Sequence, residues 1–213
     1  KDRIAELAQR GQFLYLPLCT TRFVETLVGS GATPGYRLTG FLATTGATAS
    51  SSVLEQTYLV GLTAGGGIRV YCYNWSKKIR LGFTIQVSGI ATSDVHVQLK
   101  HVATIGVLGE KGFGIRVANL ALTGVGYNSA IGSVTIDTLT ADKDYDIEIR
   151  HYPSAPRLEF WLDGVCYSTT TSANIPQAQD TAGDDSLCIS VANGATAAAA
   201  GFDIAGMWLW MEA

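Results

Sequence analysis

The chain is 213 residues long and carries a net charge of −3, with only 15% charged residues, against roughly 25% in an ordinary soluble domain. Its Lys and Arg residues are scattered, with no basic stripe to meet a nucleic-acid backbone, and no apolar run approaches the roughly 18 residues of a membrane-spanning helix. The length suits one large β-domain with a single core, and so neutral a surface suits contact with partners.

The opening stretch KDRIAELAQRG places Ile4, Leu7 and Ala8 on one helical face and ends on Gly11, a helix stop. It predicts a short helix over 1–11, too short to be stable alone, that either packs on the domain or ends a longer helical stalk. Residues 12–213 are expected to form one domain. Period-two patterns then take over. QFLYLPL (12–18), YRLTGFL (36–42) and IRVYCYNW (68–75) predict strands, the last with Tyr71, Tyr73 and Trp75 alternating on its polar side. In KIRLGFTIQV (78–87), Ile79, Leu81, Phe83, Ile85 and Val87 face a core while Lys78, Arg80, Gly82, Thr84 and Gln86 face water. DVHVQLKHVAT repeats this, with Val95, Val97 and Leu99 inward and His96, Gln98 and Lys100 outward.

Strands are likewise predicted in GFGIRVAN, IGSVTIDTL, DYDIEIRHY, RLEFWLDG, VCYSTTT, SLCISVAN and GFDIAGMWLW, each bounded by turn residues. In the last of these, Trp208 and Trp210 share one face, with Met207, Leu209 and Met211 on the other. Both faces being apolar predicts a strand covered by the core on one side and by the N-terminal segment or a partner on the other. About a dozen short strands imply a large antiparallel sandwich. The small-residue tracts at 44–52 and 193–201 read as loops or as segments pressed against a neighbouring subunit.

Cys19, Cys72, Cys166 and Cys188 lie far apart, with no C-x-x-C pair, so no zinc site is expected and Cys72 and Cys188 read as small buried hydrophobes. His96, His101 and His151 accompany no nucleophile motif. The Gly-rich stretches LTAGGGIRV and LGEKGFGIRV lead into strands, so they lack the helix N-terminus that a phosphate cradle needs. Asp180, Asp184 and Asp185 make an oxygen-rich loop of the kind that holds calcium. Their spacing matches no calcium-loop signature, and a solvated acidic loop is the expectation. No cofactor is expected.

From KIRLGFTIQVSGI to the end, about 135 residues, the order of elements resembles the concanavalin A-like lectin and glucanase superfamily. A long amphipathic strand is followed by GFGIRVAN, TLTADKDYDIEIRHY, the hairpin LEFWLDGVCY with its Asp163–Gly164 turn, and a closing apolar strand. The resemblance implies an all-β fold, an antiparallel jelly roll of two curved sheets. It also brings an analogy, since modules of this type occur in the tails, fibres and shells of phages and viruses.

Glycosidases of the superfamily carry an E-x-D-x-x-E arrangement on one strand, which this chain lacks. The nearest carboxylates are Glu148 and Glu159, on the outer sides of neighbouring strands. A register pairing Arg150 with Glu159 and Glu148 with Trp161 sets opposite charges across from each other. It makes Glu159 a salt-bridged surface group, so no catalytic pair is expected and the chain is read as no enzyme. The first functional expectation is a non-catalytic structural or adhesive component of a larger assembly, a homo-oligomer or a partner of other structural proteins, in a virion or on an extracellular surface. The alternative is a carbohydrate-binding module, with Tyr71, Tyr73, Trp75 and Trp161 stacking on sugar rings and Gln98, Arg150 and Glu159 bonding to hydroxyls. A glycoside hydrolase is the third reading.

Overall fold

Strands that are apolar on one side require a second apolar surface to cover them, and in the computed structural model two antiparallel sheets cover each other. The structure describes residues 11–15, 24–28, 33–37, 40–44, 52–58, 74–88, 94–101, 111–128, 131–170, 174–178, 185–192 and 201–213. Among them lie β1 Gly11–Tyr15, β2 Val24–Val28, β3 Thr33–Arg37, β4 Gly40–Thr44, β5 Ser52–Tyr58, β6 Ile79–Ser88, β7 Asp94–His101, β8 Gly112–Ala118, β9 Ala121–Tyr127, β10 Ile131–Thr138, β11 Asp144–Tyr152, β12 Arg157–Leu162, β13 Val165–Thr170, β14 Asp185–Ala192 and β15 Gly201–Glu212. One sheet runs β13-β12-β11-β6-β15-β4-β3, with β1 also paired to β15; the other runs β10-β9-β8-β7-β14-β5-β2.

The alternation read from the sequence sets the core. Leu81 and Ile85 of β6, Ile149 of β11 and Phe160 of β12 are fully buried against Val97 of β7 and Ile115 of β8. The Asp163–Gly164 turn joins β12 to β13 with both residues at positive φ, 48° and 81°, the geometry that a two-residue hairpin demands. Asn119 and Leu120 repeat it between β8 and β9 at φ 51° and 66°.

Three expectations change. Residues 1–10 of the expected helix lie outside the described residues, but Gly11, its expected stop, opens β1 and pairs with Glu212. The N-terminal strand thus lies beside β15 in the same sheet and does not cover its face. β9 breaks the inward apolar pattern because Gly124 sits where a Cβ would come 2.4 Å from the Phe160 ring, so the large ring of one sheet takes the place of a side chain on the other. Trp75 lies in a turn before β6 and is fully buried.

Trp75 belongs to an aromatic knot in the core. His151, also fully buried, stacks on Phe113 with centroids 5.5 Å apart and meets the Trp75 ring edge-on at 5.9 Å. Its Nε2–H donates to the Pro176 carbonyl at 2.6 Å. Burial pushes the imidazole pKa down to about 4, below the unfolded value near 6.5, so the folded chain holds His151 neutral where the unfolded chain takes up a proton. Stability is therefore complete above pH 6.5 and falls as the pH drops towards about 4, by on the order of 3 kcal/mol. Urea unfolding at a series of pH values should show that decline, and His151→Phe should remove most of the slope between pH 6.5 and 4 while keeping an aromatic ring in place.

Candidate functional site

β11 alternates core residues Ile147 and Ile149 with Asp146, Glu148 and Arg150 on the outer face of its sheet. Pairing with β12 sets Glu148 opposite Trp161 and Arg150 opposite Glu159, the register anticipated from charge. Pairing with β6 sets Glu148 opposite Gly82 and Arg150 opposite Arg80, and β15 adds Trp208 beside Gly82 and Trp210 beside Arg80. Two rows of side chains therefore cross four strands: Trp161, Glu148, Gly82, Trp208, and next to it Glu159, Arg150, Arg80, Trp210.

Two local devices shape the first row. The register of β15 against β6 slips between Ala205 and Trp208, where Gly206 adopts φ 60°. Beyond this bulge the inward set changes from Phe202 and Ile204 to Met207 and Leu209, which turns Trp208 and Trp210 outward. Gly82 then gives Trp208 room, since a Cβ there would come 2.2 Å from the indole. The indole packs against the β6 backbone there.

The second row locks the charges. Arg150 donates from Nε to Glu148 Oε1 at 2.7 Å and from a terminal nitrogen to Oε2 at 3.2 Å, and its guanidinium lies 3.6 Å from the centre of the Trp161 ring. Burial alone would lower the Arg150 pKa, but the hydrogen bonds and charge of Glu148 hold it above the ordinary guanidinium value. Arg80 approaches Glu148 at 3.6 Å and stands 5.4 Å over Trp210. Glu159 accepts from Trp161 Nε1 and from the Tyr152 hydroxyl, both at 3.2 Å, and pairs with Arg157 at 3.1 Å. The expected Arg150–Glu159 ion pair is thus replaced: by stacking on Trp161, Arg150 reaches the carboxylate two residues back on its own strand.

Between Trp161 and Trp208 a cleft of about 280 Å³ opens over Glu148, with Asp146 and Thr84 in its lining and Gly164 and Gly206 on its rim. Strand spacing puts the two tryptophan backbones three steps, roughly 14 Å, apart. The Trp208 ring occupies the β6 step, so the cleft lies over β11 between the two tryptophans. The Thr84 hydroxyl donates to Asp146 Oδ1 at 2.7 Å, and Asp163 Oδ1 accepts the Asp146 N–H at 2.9 Å, which ties the hairpin turn to the edge of the cleft.

Of the residues anticipated for sugar contact, Arg150, Glu159 and Trp161 come together here. Trp75 does not, because it fills the core. Gln98 sits on the other sheet, on β7, and is only 3% exposed. His96 and Lys100 beside it are buried as well, so that face is not the solvated one that alternation implied. Asp94 on this sheet binds Arg116 through two 2.8 Å hydrogen bonds and lies 3.0 Å from His96; burial opposes its charge, but these two partners hold its carboxyl far below the usual range. Tyr71, Tyr73, Asp180 and Asp184 lie outside the described residues, and Asp185 opens β14 opposite His101. Among the described residues no group of His, Cys, Asp and Glu is placed to hold a metal ion. Asp146, Thr84 and Trp208 were not singled out beforehand for this site; the signal for Trp208 was the lone glycine in IAGMW, a bulge marker inside a strand.

No protein-family model matches the sequence, and no curated protein matches it either. Solved structures do match. The carbohydrate recognition domain of Emp47p superposes with a TM-score of 0.62 at 12% identity, over 97% of this chain and 99% of that one. The Bacillus licheniformis β-glucanase gives 0.63 at 9% identity over 95% and 99%. An endo-β-1,4-glucuronan lyase from Trichoderma reesei gives 0.55 at 12% identity over 94% and 95%. The fold is the concanavalin A-like jelly roll. This architecture carries a lectin domain, a hydrolase and a lyase, so it leaves function to the side chains.

The close fit of Trp208 on Gly82 has a measurable cost of disturbance. Gly82→Ala is expected to lower stability by roughly 1–3 kcal/mol through overpacking, and the same change in a Trp208→Ala background by much less. Denaturant unfolding of the four proteins of this cycle reads the difference.

Proposed function

We propose that the chain is a carbohydrate-binding module whose ligand occupies the cleft between Trp161 and Trp208. The observation that carries this reading is the pair of half-buried indoles standing across Glu148 on an outer sheet face. Indole faces take the C–H side of a sugar ring, while carboxylate and hydroxyl groups between them take its hydroxyl protons. The solved structures that share the fold include carbohydrate recognition domains, which supports the same class of function. The module is read as binding without catalysis. Arg150 engages both oxygens of Glu148, and Glu159 is held by Arg157, Tyr152 and Trp161, so neither carboxylate is poised to transfer a proton or attack a glycosidic carbon. Titration calorimetry against neutral oligosaccharides should give binding that weakens at least tenfold, about 1.4 kcal/mol, in Trp161→Ala and in Trp208→Ala, with melting temperatures within a few degrees of the parent. Unchanged affinity in both variants would place the ligand elsewhere.

A second reading, a structural or adhesive part of a larger assembly such as a virion, draws on a different surface. Ile131, Val165 and Tyr167 are 54%, 58% and 50% exposed. They lie on β10 and β13, the end strands of the two sheets, which neighbour each other at one side of the sandwich. Exposed apolar side chains on end strands favour pairing with another chain. If this edge holds an assembly together, Val165→Asp with Tyr167→Asp should reduce the native mass measured by light scattering to that of a monomer.

A further inference from the structure

The charges around the cleft carry a finer statement. Resting on the carbohydrate-binding reading, we propose that this site selects neutral hexose residues and rejects sugars that bear a carboxylate, sulfate or phosphate. Recognition of an anionic sugar calls for a guanidinium, an ammonium or a set of N–H groups aimed at the acid. Among the described residues the cleft lining contains no Lys, Arg or His; its charged members are Asp146 and Glu148.

The cations nearby are already committed. Arg150 is fixed to both oxygens of Glu148 and lies on the Trp161 ring, with its side chain only 11% exposed. Arg80 stands between Glu148 and Trp210. Lys78 is bonded to Glu212 at 2.9 Å, and Lys143 stands over the Tyr145 ring at 4.5 Å. Turning Arg150 towards a ligand acid would uncover Glu148 in the cleft with the same negative charge, and Arg80 stays over the Trp210 ring, outside the cleft lining. At the rim, Asp144 and Asp163 are exposed beside Asp146, and these carboxylates make the approach negative.

A neutral hexose meets none of this opposition. Carboxylates only accept hydrogen bonds, and a hexose offers hydroxyl donors around its whole edge. Glu148 is offset by Arg150, so a hydroxyl donor is enough to meet it and no counter-charge on the sugar is required. The indole walls then contribute the same apolar contact to any hexose, and the acids decide which ring edges are admitted.

The test uses gluco-, manno- and galacto-oligosaccharides, each as the neutral chain and as the same chain oxidised at C6 to uronates, titrated into the intact protein at low salt. Binding of at least one neutral chain, with its uronate tenfold or more weaker, is the expected result. In Asp146→Asn that gap should narrow several-fold, and raising salt from about 20 mM to about 500 mM should narrow it in the parent protein, because exposed carboxylates are screened. Equal or tighter binding of the uronate overturns the charge selection and leaves the carbohydrate-binding reading standing. A gap that neither Asp146→Asn nor salt changes overturns the assignment of selection to these carboxylates. Binding of no chain in either form overturns both readings together.

Discussion

Side chains alternate across a strand, so inserting one residue reverses the face of everything beyond it. β15 contains such an insertion at Gly206, half way along the strand that links the two halves of its sheet. Before it, Phe202 and Ile204 fill the core; after it, Met207 and Leu209 do so. Without the slip, Trp208 and Trp210 would have to enter a layer already occupied by Leu81 and Ile149, while two smaller apolar residues met water. The cleft wall, the cation over Trp210 and the packing of the core end all depend on that glycine.

The outer face achieves order by pairing three arginines with aromatic planes. Arg150 is clamped between Glu148 and Trp161, Arg157 between Glu159 and Tyr152, and Arg80 between Glu148 and Trp210. A guanidinium suits this because it is flat and weakly hydrated, and therefore stacks while it bonds. Each arginine fixes a carboxylate and a ring at once, so the walls and floor of the cleft are held before any ligand arrives and less ordering remains to be done on binding. The opposite sheet carries its own locked charges in Asp94, Arg116 and His96, of which only His96 is buried.

Much of this was legible in the residues. β6, β7, β11, β12 and β14 alternate strictly and were readable from period two, and the partners across β11 and β12 followed from the attraction of unlike charges. The ion pair did not follow, because register fixes backbones while a long side chain still chooses between carboxylates, and the Trp161 ring drew Arg150 towards Glu148. Trp75 was misread by extending the alternation of Tyr71 and Tyr73. In the structure the Asn74 side chain accepts from the Ser76 N–H and hydroxyl at 2.9 and 2.6 Å, and the chain turns there, so parity is lost and the indole swings into the core. Gln98 failed for another reason: alternation says which side a residue faces, and it cannot say whether something covers that side. β9 was invisible because Gly124 leaves its place in the core to Phe160, so its contribution to packing is a gap in its own sequence pattern.

The distribution of the tryptophans has an optical consequence. Trp75 is sealed in the core and Trp210 is 5% exposed, whereas Trp161 and Trp208 are half-buried and form the two walls of the cleft. Emission from the first pair is insulated from solvent, and emission from the second pair responds to whatever replaces water between the walls. The molecule therefore contains both a reference and a sensor in its intrinsic fluorescence, and occupancy of the cleft is readable from the unlabelled protein as a shift confined to the solvent-sensitive part of its spectrum.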